Sequence, residues 1–413
     1  MITENEDTTS DQPHTREDPP GLPLLDEEPP AGSTERLRRA IEASVGSAAE
    51  GGNSITALRN GVEIFPSMLE AIRNAAHTID FVTFVYWTGR VADDFASALA
   101  ERSLAGVRVR VILDAFGSAP MRQELIERMA VAGIMVERFR PIVRWKFWEN
   151  DHRTHRKILI VDNQIAFTGG VGIAAEWEGD ARDPEEWRDT HFRIEGPAAL
   201  RLKASFLTDW RDTGHAIDPT DVDVGPPSAA GEIDMAVIDG SAQIGFDNAE
   251  LALEALVTAA GQRILIQTPY LNPTEAMQEL LIEALDRGVD VDIMIPGPHI
   301  DKRISKVMAE EMYVPLVEAG ARVWIFQPTM MHVKTMLVDG SVALIGSINI
   351  NRRSVEKDEE VAVAILDRGL TRTLEQHFRD DVDRCTPVEP TVEDRPLRRR
   401  LAAKLLHPIK SEI

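Results

Sequence analysis

Two stretches of this 413-residue chain carry the same reactive residues at the same spacing. The first, HRKILIVDNQIAFTGG, contains His155, Lys157, Asp162 and Gly169-Gly170; the second, HVKTMLVDGSVALIGS, contains His332, Lys334, Asp339 and Gly346-Ser347. A neutral imidazole can attack phosphorus, and a second, protonated imidazole can give its proton to the leaving oxygen. Two lysine ammonium groups can neutralise the non-bridging oxygens as the transition state forms. This set suits displacement at a phosphodiester, and it requires no metal and no other cofactor. The glycine after the following strand is expected to let backbone amides approach a phosphate closely. One HxK pair says little, because a lone histidine is more often a surface or satisfied residue. Two copies with full spacing say much more.

The elements that hold these residues also occur twice. The apolar runs Ile158–Val161 and Met336–Val338 predict buried strands, with each histidine and lysine on one face by the period of two. Before the first motif the pattern predicts strands at Ile79–Tyr86, Val107–Asp114 and Ile134–Phe139, with helices around Asp93–Ala105 and Arg122–Ala132. Before the second it predicts strands at Ile264–Thr268, Val289–Ile295 and Ala321–Phe326, with helices around Ala276–Arg287 and Arg303–Ala319. The spacing is too long for a solenoid and indicates duplication of a whole α/β domain. Residues 1–36, acidic and proline-rich, are expected to be disordered. The expected division is then a first domain at 37–217, a linker at 218–234, a second domain at 235–385 and a basic amphipathic tail at 386–413.

Composition narrows the classes of function. A net charge of -23 argues against a broad basic face that coats nucleic acid, and no nucleic-acid partner is expected. The single cysteine, Cys385, excludes an intramolecular disulfide and a cysteine-based metal cluster, and fits a reducing cytosol. With no apolar run of about 18 residues and no basic-then-apolar leader, any membrane contact is expected to be peripheral.

The double motif resembles the phospholipase D superfamily, and within it the bacterial cardiolipin synthases of soluble type. The resemblance runs from about Gly61 to Asp383 and includes THRKILIVDNQIAFTGGVGIAAEW, EEWRDTHFRIEGPAALRLKASFLTDW and HVKTMLVDGSVALIGSINI. It implies two α/β sandwich domains related by a pseudo-twofold, with the active site at their junction. It implies that His155 is the nucleophile and His332 the general acid and base. Lys157, Lys334 and Asn349 take phosphate-binding positions, and Ser347 stands where the family keeps a serine. Asp189 and Glu360 stand where the family keeps carboxylates that hydrogen-bond the histidines, each expected to serve the opposite half. Asp162 and Asp339 belong to the motifs but are expected to brace strand and loop. Gly172 departs from the asparagine usual at that position.

The implied activity is transfer of a phosphatidyl group between phosphatidylglycerol molecules through a phosphohistidine. A phospholipid-hydrolysing phosphodiesterase is the alternative enzyme, and a catalytically silent lipid-binding scaffold is the alternative of another class. A lipid substrate needs a route to an anionic membrane surface, expected at the inner face of the cell membrane. Two segments offer one: RFRPIVRWKFWENDHR, with Trp145, Trp148 and Arg153, and RPLRRRLAAKLLHPIK, with Arg398, Arg399 and Arg400 beside a leucine stripe.

Overall fold

The structure, a computed structural model, describes residues 28–141, 152–222, 227–241, 248–301 and 303–389. The first half contributes strands β1 (Glu50–Arg59), β2 (Thr78–Thr83), β3 (Arg108–Asp114), β4 (Met135–Phe139), β5 (Ile158–Val161), β6 (Ile165–Gly169) and β7 (Thr190–Glu195). The second contributes β8 (Ile233–Ser241), β9 (Arg263–Gln267), β10 (Asp290–Pro296), β11 (Arg322–Phe326), β12 (Thr335–Val338), β13 (Val342–Gly346), β14 (Glu359–Leu366) and β15 (Cys385–Pro387).

Among the described residues these strands form one mixed sheet, ordered β15-β11-β10-β9-β12-β13-β14-β8-β1-β7-β6-β5-β2-β3-β4. Outward from the antiparallel β1–β8 seam, the two sides repeat: β1-β7-β6-β5-β2-β3-β4 matches β8-β14-β13-β12-β9-β10-β11. The sense of pairing repeats as well. Each motif hairpin, β5–β6 and β12–β13, is antiparallel, while β2-β3-β4 and β9-β10-β11 are parallel. The duplication read from the motifs is therefore present in the topology.

Strand β5 shows how the motif fits this frame. Ile158 and Ile160 enter one apolar cluster, while Leu159 and Val161 enter another, so both faces are buried and an unbroken apolar run is required. Helices Asn60–Asn74, Arg90–Leu104 and Gln123–Val131 cover the outer face of the first half through Ile64, Phe95, Leu99 and Leu125. In the second half, helices Asn248–Ala259 and Glu275–Asp286 do so through Leu253, Leu256 and Leu281. A third cluster draws on both halves, with Leu202 and Phe206 of helix Pro197–Asp212 and Leu374 and Phe378 of helix Arg368–Val382.

Three expectations need correction. Helix Ser33–Val45 begins inside the segment expected to be disordered and packs Leu37 and Ile41 into the outer core of the second half. Its Arg36 pairs with Asp339 at 2.8 Å, so order reaches further toward the N-terminus than the proline-rich composition suggested. The expected linker contains Asp221, which is buried and paired with Arg108 and Arg110. At the other end, β15 runs past the boundary expected at Cys385.

Candidate active site

Each histidine-bearing segment lies against the acid-bearing segment of the other half. Thr154 bridges in parallel to Glu359, and Arg188 bridges in parallel to Met331. The backbone N–H of His155 donates to the Glu359 carbonyl at 2.9 Å, and that of His332 to the Arg188 carbonyl at 2.7 Å. The residues one step further on then meet. His155 Nδ1 lies 2.9 Å from Glu360 Oε1, and His332 Nδ1 lies 3.0 Å from Asp189 Oδ2. With the ring proton on Nδ1, the lone pair of each ring is on Nε2, and that of His332 lies 3.1 Å from the Lys334 ammonium.

Buried ion pairs lock this crossover. Arg188 pairs with Asp381 at 2.9 Å, and Asp381 also takes Arg59 from β1. Arg156, between the two motif residues, hydrogen-bonds the Glu360 carbonyl at 3.1 Å and pairs with Asp209. Removing one member of such a pair would leave an uncompensated buried charge, which typically costs about 3–5 kcal/mol.

Both histidines and Lys157 open into one pocket of about 410 Å³. Its other walls are Phe84, Trp87, Phe116, Trp177, Trp187 and Tyr270 with small apolar residues, and Asp301 stands at the edge. The His332 ring sits among Trp177, Trp187 and Tyr270, with centroids at 5.3, 5.7 and 6.3 Å; Phe84 lies 5.1 Å from His155. Burial, reinforced by the Lys334 charge and opposed by Asp189, lowers His332 to about 4. Burial lowers Lys157 to about 8 and Lys334 to about 7, despite nearby Asp189 and Glu360. Burial raises Glu360 to about 7 against the pull of Lys157 and Ser347. Burial would also raise Asp189, but His332, Lys334 and Trp177 outweigh it and leave its pKa lowered. Lys157 donates to the His155 carbonyl at 2.9 Å and Lys334 to that of His332 at 3.0 Å, so each buried ammonium is held beside the histidine of its own motif.

Comparison with known proteins accounts for the paired motifs. The family model described as cardiolipin synthase, PLD-like domain, matches residues 68–177 and 253–382, one block in each half. The probable cardiolipin synthase YwiE of Bacillus subtilis is 31% identical over 344 residues, covering 82% of this chain and 68% of that protein. The chain belongs to the phospholipase D-like cardiolipin synthase family. Cardiolipin synthase A of Pseudomonas aeruginosa is 31% identical to it over 366 residues, 86% of this chain and 73% of that one. Among solved structures, phosphatidylserine synthase of Haemophilus influenzae Rd KW20 shares the fold, with a TM-score of 0.69 at 16% identity over 92% of this chain and all of that one.

The remaining motif residues of this cardiolipin synthase relative have partners close by. Asp162 accepts the backbone N–H groups of Ala76, His77 and Thr78, and Asp339 those of Gly261, Gln262 and Arg263. Both aspartates brace the entry to a strand. Gly169 and Gly170 also make room for neighbouring side chains. A Cβ on Gly170 would lie 2.4 Å from the Asp189 carboxylate, and one on Gly169 2.6 Å from His191. Ser347, at the position equivalent to Gly170, donates its hydroxyl to Glu360. Where the family's first motif has asparagine, a Cβ on Gly172 would meet Val85 at 2.6 Å, so that space is already filled.

Trp177, Trp187, Tyr270 and Phe84 were not singled out as site residues; Phe84 and Tyr270, just after the matching strands β2 and β9, were the available signal. Arg153, expected at a headgroup interface, is buried and donates to Asp114 at 3.1 Å. Trp145, Trp148, Arg398, Arg399 and Arg400 lie outside the described residues. Among the described residues no helix is long and apolar enough to cross a membrane.

Proposed function

We propose that this chain is a phosphatidyltransferase of cardiolipin synthase type that moves a phosphatidyl group between phosphatidylglycerol molecules. The observation that carries the reading is the pair of histidines, each held by a carboxylate of the other half, opening into one pocket with aromatic walls. His155 Nε2 attacks the donor phosphorus, the bond from phosphorus to the glycerol oxygen breaks, and His332 supplies the proton that glycerol takes away. A hydroxyl of the second lipid then attacks. His332 accepts its proton, and the phosphorus–nitrogen bond breaks with its electron pair returning to His155.

His332 is disfavoured as a cation mainly by burial and the Lys334 charge. A phosphate anion beside the pair offsets that charge and favours protonation for the first step. Lys157 and Lys334 neutralise the non-bridging oxygens. Asn349 adds a contact: its side-chain NH₂ donates one hydrogen to the Ser354 hydroxyl at 3.2 Å and keeps a second for phosphate. The basic C-terminal segment is the contact with the anionic inner face of the cell membrane.

The test is incubation of purified protein with phosphatidylglycerol vesicles and mass analysis of the products. Cardiolipin and free glycerol in equal amounts support the reading. Phosphatidic acid as the sole lipid product makes the protein a hydrolase, and no product with any phospholipid makes it a binding protein.

A further inference from the structure

The pocket contains one group that the phosphate chemistry does not use. The Tyr270 hydroxyl donates to Asp301 Oδ2 at 2.7 Å, and both residues line the same pocket as His155, Lys157 and His332. A carboxylate beside an anionic phosphodiester weakens binding by like-charge repulsion unless it does something for another part of the substrate. A carboxylate offers about four lone-pair positions, and Tyr270 occupies one of them. The tyrosine oxygen accepts hydrogen bonds as well as donating one. Together the two groups present adjacent acceptors, which match a pair of neighbouring hydroxyls.

The place of this pair in the molecule favours that ligand. It comes from the second half, on the side of His332, whose ring lies 6.3 Å from that of Tyr270. Under the mechanism proposed above, His332 faces the oxygen that leaves and the hydroxyl that enters. A polyol suits this wall better than a cationic headgroup, because Lys157 lines the same pocket and Lys334 stands within 3.1 Å of the His332 ring.

We propose that Tyr270 and Asp301 form a subsite for the vicinal hydroxyls of a glycerol headgroup, selecting the alcohol that leaves and the alcohol that enters. This rests on the phosphatidyltransferase reading and names the alcohol side of its site. One hydroxyl of the acceptor donates to Asp301 while its neighbour attacks the phosphorus. Water and monohydric alcohols lack the second hydroxyl and gain nothing from the pair.

The experiment supplies phosphatidylglycerol vesicles with equal concentrations of deuterated glycerol, 1-propanol and ethanolamine, and reads the three phosphatidyl products by mass. The wild type is expected to favour glycerol over propanol. Asp301→Asn keeps an oxygen for Tyr270 but removes the charge, and should lower the glycerol-to-propanol product ratio about tenfold, the loss expected for one hydrogen bond to a charged group. Tyr270→Phe should lower the ratio by a smaller factor. A ratio within twofold of wild type in both variants overturns the subsite while leaving the transferase reading intact, as does a wild-type preference for ethanolamine. A wild type that forms neither cardiolipin nor a phosphatidyl product with any of the three alcohols overturns both, and one that forms cardiolipin alone overturns the subsite.

Discussion

Trp177 donates its indole N–H to Asp189 Oδ2 at 2.9 Å, the same oxygen that holds His332 Nδ1. In the other half the Ser347 hydroxyl fills that role for Glu360. The two acids therefore have equivalent duties but different supports, one an immovable buried indole and the other a small hydroxyl.

Trp177→Phe should cost ~2 kcal/mol of stability at neutral pH, because a hydrogen bond to a buried charge is lost. The Asp189 pKa is lowered in the fold, so its contribution is present above the unfolded carboxylate value of about 4 and is lost as pH falls through the folded value. Denaturant titrations should thus show the gap between wild type and variant narrowing in acid. Turnover should fall as well, since a loosened Asp189 no longer fixes the His332 tautomer.

Lys157→Met and Lys334→Met should each lower turnover by about 10²–10³, the usual cost of one preorganised electrostatic contact, with thermal unfolding little changed. The two lysines lie at about 8 and about 7 in the free protein, so some of their charge is missing at pH 8. An anionic substrate analogue should then bind with uptake of protons at that pH, measurable by calorimetry in buffers of different ionisation enthalpy. For the same reason kcat/KM should decline as pH rises past 7 to 8. Unchanged proton uptake in both Met variants would separate the lysines from the phosphate.

Asp189→Asn and Asp339→Asn should fail in different ways. The first takes the carboxylate charge from His332 and lets an amide NH₂ favour the wrong tautomer, and turnover should drop by about 10⁴, as when a triad carboxylate is neutralised. The second weakens a brace that gathers three backbone N–H groups and Arg36, so the melting temperature should fall while the folded fraction keeps its turnover. Thermal melts run beside single-turnover assays would tell the two apart.

Deleting Arg395–Ile413 should weaken binding to anionic vesicles and lower activity on them, while sparing a short-chain soluble phosphodiester. A protein of net charge -23 is repelled by such a surface, and each local cation near it contributes roughly 1 kcal/mol. Raised salt should mimic the deletion in the intact protein, because screening acts over about 8 Å at physiological strength. Vesicle sedimentation is the measurement, and equal sedimentation of both forms would exclude the segment as the contact.

The paired motifs and the parallel strands were legible because they rest on local signals. A four-residue apolar run buried on both faces, as in Ile158–Val161, looks the same in sequence and in space. The seam was not legible. Strand β1, EGGNSITALR, has two glycines and no clean alternation, and its bulged pairing with β8 is held by Asn53, whose side chain bonds Glu50, Ile233 and Ala198. Helix Ser33–Val45 was hidden because it buries little beyond Leu37 and Ile41 and follows a proline-rich run. The neighbour that Gly170 accommodates was hidden for a related reason. Glycine in the sequence reports that space is needed, but which group needs it depends on Asp189, which lies on a different segment.

The crossed bridges Thr154–Glu359 and Arg188–Met331 have a consequence for how the two copies can change over time. Since each histidine depends on an acid encoded in the other copy, a substitution in either motif disables both, and neither copy can decay into a mere scaffold for its twin. Residues that serve only one side carry no such bond of inheritance. Gly172 could lose the side chain that Asn349 keeps, and an indole could take over from a hydroxyl, while the four shared partners stayed bound to one another as a single heritable unit.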